Sequence, residues 1–372
     1  MNWFPVPQRW TNFNHQVKPS GFEAVSFQRG NEIVISFAGT DPGDLFGDVA
    51  ADIALALGLG SDQLREAAVY YLEVRAANPE AVITFTGHSL GGGLAALMGV
   101  FFDRPAVTFD QAPFAASTAV VDSGEGNLAG VHVALLNHLR GLGYADYHLR
   151  PLETYIGLTD RQHWVSGQYV VGEFLTDYPI INWLSGIGNQ TPLEHGANNL
   201  SGIDLHSQAL LAAFVLNDGF RQVTMSLPDL GKLLFDSALY YHDPNDTENP
   251  QRNYLENLLR HQVGVNGAIE ADKMLSRFTS DLQKLAATDG LSESGTNLTK
   301  ALIAFAMQAY YDGPKNSEAD HKLYEAVEGG VHFDRSDIGA TLDDIQGLHP
   351  ILQAPPRHPV GRRTGRHQPT AI

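Results

Sequence analysis

The chain has 372 residues, 43% of them hydrophobic and 18% charged, with a formal net charge of −18. This is a globular composition, long enough for one large domain or for a domain with an appendage. The acidic balance argues against a nucleic-acid partner, whose phosphates need Lys and Arg, and the absence of cysteine excludes disulfides, thiolate metal sites and a thiol nucleophile.

The first residues, Met1 to Pro7, show no basic segment leading into an apolar one, so no Sec-type signal peptide is expected. No apolar run reaches the roughly 18 residues of a membrane-spanning helix. The expected location is the cytoplasm or, by a non-Sec route, outside the cell.

Residues 21–40 predict two strands. Phe22, Ala24, Val25 and Phe27 precede the turn cluster Arg29-Gly30-Asn31, and the β-branched run 33–37 follows it. The spacing of Leu64, Ala67, Ala68, Tyr71, Leu72 and Val74 predicts a helix over 61–77, with Ser61 as its cap and Asn78-Pro79 as its end. Residues 81–86 predict a buried strand. They run into Gly87-His88-Ser89-Leu90-Gly91-Gly92-Gly93 and an apolar helix that ends before Pro105, and 106–109 form the next strand. Strand, helix and strand at this pitch predict an α/β class with a mostly parallel sheet flanked by helices.

Further along, 128–142 predicts a helix, 168–171 a strand, 180–204 a long Gly- and Asn-rich loop or lid, and 207–216 an apolar helix. The amphipathic stretch 253–311 predicts a helical appendage that packs on the core or acts as a lid. The tail carries Arg357, Arg362, Arg363 and Arg366 without an acid and is expected to be disordered. The expected organisation is a core over 1–218, a helical extension over 219–348 and a basic tail over 349–372.

The G-x-S-x-G pattern at 87–91 sits between a strand and a helix, where a nucleophile elbow requires it. A serine hydroxyl is a weak nucleophile and needs a sharp turn, a nearby base and a helix N-terminus behind it. Gly87 and Gly91 remove the Cβ atoms that would clash in such a turn, and the amide of Leu90 would face a developing oxyanion. These features predict an α/β-hydrolase fold with Ser89 as nucleophile.

The motifs Ile33-Val34-Ile35-Ser36-Phe37-Ala38-Gly39-Thr40-Asp41, then Gly47-Asp48-Val49-Ala50-Ala51-Asp52, then Thr86-Gly87-His88-Ser89-Leu90-Gly91-Gly92 resemble, in this order, those of the class 3 (fungal-type) lipases. The resemblance covers 20–115 well and 116–216 loosely, and does not reach the C-terminal region. It implies a serine carboxylic-ester hydrolase acting on lipid esters, either a triacylglycerol lipase or esterase. It also implies that Thr40 supplies a second oxyanion-hole amide beside Leu90. Ala38 stands where the family's F-R-G-T has arginine, which removes a local contact. Asp48 and Asp52 read as helix-capping residues.

In α/β-hydrolases the acid and then the histidine follow the serine in the chain. His206, at a loop–helix junction, is the expected base, with His195 and His332 as rivals. His88, adjacent to the nucleophile, is expected to face away. His138, His261 and His321 read as surface residues. For the acid, Asp110 at the end of strand 106–109 is preferred. Glu173, then Asp177, is the alternative, one strand later, where the class 3 lipases more often carry the acid.

No cofactor is expected. The oxygen-rich stretch around Asp243 and Asp246 could hold a structural Ca²⁺ but lacks EF-hand spacing. The expected partner is a lipid or small ester, with transient apolar contact to a lipid interface. Two other readings stay open: a phospholipase A1-like secreted effector, and a non-catalytic lipid-binding protein on a hydrolase scaffold.

Overall fold

The computed structural model describes residues 10–39, 62–118, 121–122, 128–153, 160–177, 185–197, 200–227 and 229–235, with single positions between 255 and 283. Strand β1 (Thr11–Val17) pairs antiparallel with β2 (Glu23–Arg29), which turns through Gly30 into β3 (Glu32–Phe37). The remaining strands of this sheet are β4 (Val82–His88), β5 (Ala106–Phe109), β8 (Val165–Val170) and β9 (Asn189–Leu193), all parallel to β3. The seven strands lie in the order β1-β2-β3-β4-β5-β8-β9. Two short strands, β6 (Val121–Asp122) and β7 (Leu128–Ala129), form a separate ladder.

Helices α1 (Asp62–Ala77) and α2 (Leu90–Phe102) lead into and out of β4. They are followed by α3 (Val131–Gly141), α4 (Asp146–Glu153), α5 (Phe174–Asp177), α6 (Gly202–Leu205), α7 (Gln208–Leu216), α8 (Asp218–Ser226) and α9 (Asp229–Leu234). This is the expected α/β class. Among the described residues no helix is long and apolar enough to cross a membrane.

The strongest sequence patterns became elements where expected. The apolar run after the elbow is hydrophobic all round, and every residue of α2 from Gly91 to Phe102 is buried, as a helix without a polar face must be. It packs with an aromatic cluster: Phe37 stacks on Phe85 at 6.0 Å, and Tyr71 meets Phe85 and Phe102 at 5.2 and 4.7 Å. Each such buried ring stabilises the fold by about 1.5–3 kcal/mol through surface removed from water.

Four strands were not expected: β6 and β7, of which β7 takes the first two residues of the stretch 128–142 expected as a helix, and the two edge strands of the large sheet. β1 is polar and mostly exposed, an edge strand with little to bury. β9 lies inside the stretch 180–204, expected as a loop or lid, and Pro192 is tolerated there because β9 closes the sheet's other edge. The same stretch supplies α6.

At the C-terminal side, Leu255, Leu259 and Leu275 are buried, and Asn217 donates to Thr279 Oγ1 at 3.4 Å. Of the helical extension expected over 219–348, the described part is 219–227, 229–235 and the single positions between 255 and 283; the cap Ser61 and the tail 349–372 lie outside the described residues.

The parallel strands bring their carboxyl ends to one edge of the sheet. Phe37 stands opposite Gly87, His88 opposite Phe109, and Phe109 opposite Gln168. The crevice beyond those ends is where open α/β sheets place their sites.

Candidate active site

Ser89 follows the last residue of β4 and precedes the first of α2, with φ 57° and ψ −127°. A non-glycine residue in this region of backbone space is strained, and such strain persists only where the surroundings enforce it. Here they do. A Cβ on Gly87 would lie 2.3 Å from the Gly91 carbonyl, and one on Gly91 would lie 2.2 Å from the Phe37 carbonyl oxygen. The turn closes only with glycine at both places. Ser89 N donates to Phe109 O at 3.1 Å, and Ser89 O accepts from Gly93 and Ala112 at 3.1 and 2.9 Å. Ser89 itself is half-buried, within reach of solvent. Leu90 opens α2, so its amide is among the N–H groups that have no partner within the helix. Thr40, the other expected oxyanion donor, lies outside the described residues, as do Asp48 and Asp52.

Of the two candidate acids, Asp110 is not the one hydrogen-bonded to His206. Asp110 ends β5 with φ 40° and is buried, but its Oδ1 accepts from Val170 N at 2.8 Å. This oxygen ties β5 to β8. Glu173, the alternative, accepts a 2.7 Å hydrogen bond on Oε2 from His206 Nδ1. The same oxygen accepts from Leu175 N at 2.7 Å, at the start of α5.

The geometry behind this pairing is local. Gly172, at φ 79°, turns the chain off β8 so that Glu173 points back beneath α6. Helix α6 then lies very close: a Cβ on Gly202 would stand 3.3 Å from Phe174 Cα. Ser201 and Asp204 form a reciprocal capping box over α6, and His206 follows directly as its C-cap. His206 is 7% exposed and Glu173 1%. Donation from Nδ1 to a carboxylate fixes the tautomer that leaves Nε2 as the basic atom. Nε2 is buried and has no hydrogen-bond partner.

His88 departs from expectation. Instead of facing away, its ring lies 4.7 Å from that of His206, and its Nε2 stands 3.5 Å from Asp110 Oδ2. Both of those atoms are also buried without hydrogen-bond partners. His195 is committed elsewhere: Nε2 meets Val171 O at 2.7 Å, and Nδ1 accepts from Ala197 N at 3.0 Å. His138 is half-buried in the last turn of α3. His261, His321, His332, Asp243, Asp246 and the side chain of Asp177 lie outside the described residues.

One contributor gave no sequence signal. Gln111 donates to Thr108 Oγ1 and Ile187 O and accepts from Ile187 N at 3.0 Å. It clamps the end of β5 to the segment before β9.

Burial works to lower the His206 pKa, but the hydrogen bond and charge of Glu173, with the charge of Asp110, outweigh it. The net shift is upward from the ordinary value. The proton is bound more tightly in the folded state. The pair's contribution to stability is therefore fully present below the unfolded pKa of about 6.5 and is lost as pH rises through the higher folded value. A reaction that needs neutral His206 should have its acid limb above pH ~6.5. Asp110→Asn, which removes one raising charge, should move that limb of kcat/KM to lower pH. A limb left in place would exclude Asp110 as a source of the shift.

Residues 5–176 match the family model of the phospholipase-like, Tle-like phospholipase domain. That stretch holds Ser89, Asp110 and Glu173 and stops short of His206. The chain is also similar to the extracellular phospholipase A1 of Serratia liquefaciens, 34% identical over 93 residues. That match covers 25% of this chain and 28% of the length of the relative. The two likenesses support a lipase or phospholipase family without singling out the class 3 lipases that the motifs resemble.

Proposed function

We propose that the chain is a serine hydrolase of phospholipid carboxylic esters, on an α/β-hydrolase scaffold, with Ser89 as nucleophile, His206 as base and Glu173 as acid. The observation that carries the reading is the buried 2.7 Å bond from His206 Nδ1 to Glu173, at the sheet edge where strained Ser89 is presented. The phospholipase likenesses favour a phospholipid over a triacylglycerol; the class 3 motifs favour the latter.

In the proposed reaction, Ser89 Oγ attacks the acyl carbonyl carbon as His206 Nε2 takes the hydroxyl proton. The carbonyl electron pair moves to oxygen, where the Leu90 and Thr40 amides receive it. On collapse, the ester C–O bond breaks and the leaving alkoxide takes the proton from His206. Water, deprotonated by His206, then attacks the acyl-serine, and the fatty acid departs with Ser89 restored. Glu173 keeps the imidazole oriented and stabilises its cationic form. Proton transfer by such a base contributes about 10²–10⁴-fold.

The test is a fluorophosphonate probe followed by peptide mapping, together with fatty-acid release from phosphatidylcholine micelles and from a triacylglycerol emulsion. The expected result is one adduct, on Ser89, and faster release from the phospholipid. A chain that takes no label is a lipid-binding protein without turnover. Faster release from the triacylglycerol would assign the lipase substrate instead.

A further inference from the structure

Three polar atoms at the site make no hydrogen bond: His88 Nε2, Asp110 Oδ2 and His206 Nε2, the first two standing 3.5 Å apart as an ion pair. Buried polar groups almost always find partners, so three unsatisfied atoms on neighbouring side chains call for an explanation. The proposed reaction uses one of them, His206 Nε2. It asks no hydrogen bond and no proton transfer of the His88 imidazole or of Asp110 Oδ2.

We propose that these three side chains form a site for a divalent transition-metal ion of the zinc type, and that occupying it switches the hydrolase off. The switch, though not the metal site, rests on the role proposed for His206.

Each of the three residues offers one ligand atom, and these atoms lie within 4.8 Å of one another. His88 Nε2 and Asp110 Oδ2 are 3.5 Å apart. The edge of a tetrahedral site with bonds of about 2.0–2.1 Å is ~3.3 Å, so that pair is already nearly spaced for a shared ion. The third ligand closes through a side-chain adjustment on the order of 1 Å. Two imidazoles and one carboxylate are a ligand set that suits zinc, copper or nickel better than calcium or magnesium, which take oxygens. Three protein ligands leave the fourth position to solvent.

The surroundings match those of a metal site. A ligating histidine commonly donates its other ring nitrogen to a carboxylate, and His206 does so to Glu173. A ligating carboxylate commonly has its second oxygen hydrogen-bonded, and Asp110 Oδ1 accepts from Val170 N. Charge agrees as well. Asp110 and Glu173 bring two negative charges into a buried pocket, and a divalent cation neutralises both.

The consequence for turnover follows from a single lone pair. His206 Nε2 cannot bind a metal and accept the Ser89 proton together. The ion therefore competes with the base function, and a chelator restores it. The Asp110–His88 pair then has a function beyond the charge that Asp110 exerts on His206.

Cobalt(II), with its visible ligand-field spectrum, is the probe, titrated into the full metal-free chain and into Ser89→Ala, which keeps all three ligands. The expected result is one cobalt ion per chain in both proteins. Affinity should fall about tenfold or more in His88→Gln and in the nearly isosteric Asp110→Asn. Bound metal should slow fluorophosphonate labelling of Ser89 in the wild-type chain, and chelator should reverse the effect. Absence of saturable binding, or binding undiminished in both ligand variants, would overturn the site. Labelling at the same rate with cobalt bound would overturn the switch. Cobalt binding without any labelling of the metal-free chain would uphold the site and overturn the hydrolase reading instead.

Discussion

Ser89→Ala should lower lipid-ester hydrolysis by about 10⁴–10⁶-fold, to the level that binding and oxyanion contacts alone supply. The effect is large because the hydroxyl is the atom that bonds to the acyl carbon, and no other described nucleophile stands at that turn. The substitution should leave the fold intact. Alanine has the same Cβ, and the contacts that hold the turn run through the Ser89 backbone to Phe109, Gly93 and Ala112. The measurement is fatty-acid release alongside a thermal melt. An unchanged melt with lost release places the defect in chemistry. Release that survives at more than about a hundredth of the wild-type rate would mean that another group attacks the ester.

Glu173→Gln and Asp110→Asn should separate by orders of magnitude. The glutamine keeps the size of the side chain but can present its amide nitrogen to His206 Nδ1. The imidazole then favours the wrong tautomer and loses the charge that stabilises its cation. A comparable change in the serine-protease triad costs about 10⁴ in kcat, and a loss of about 10³–10⁴ is expected here. Asp110→Asn removes a charge that acts on His206 without a hydrogen bond to it, so the loss in kcat should stay within about tenfold to a hundredfold, with the acid limb displaced. A larger loss at Asp110 than at Glu173 would reverse the assignment of the acid.

The sequence disclosed the elements whose residues carry strong periodicity or composition. The β2–β3 pair, α1, the elbow and α2 all show it. The edge strands β1 and β9 did not. Thr11-Asn12-Phe13-Asn14 and Asn189-Gln190-Thr191-Pro192 are polar, and their pairing depends on a neighbour far along the chain.

Spacing and chain order single out Ser89 and His206 for the proposed site but do not choose between the two acids. Asp110 and Glu173 both follow parallel strands, and only the turn at Gly172 and the close approach of α6 at Gly202 bring one of them to His206. The expected orientation of His88 failed because alternation of neighbouring side chains holds along a strand but not into a turn. At φ 57° the chain leaves β4 at Ser89, and the two residues need not point apart.

His206 reaches the site from α6, after the chain has crossed the sheet's last strand. On the proposed assignment, a chain that extends only through α5 therefore holds the nucleophile and the acid but not His206, the base. The proposed triad is complete only with the segment that packs Gly202 against Phe174.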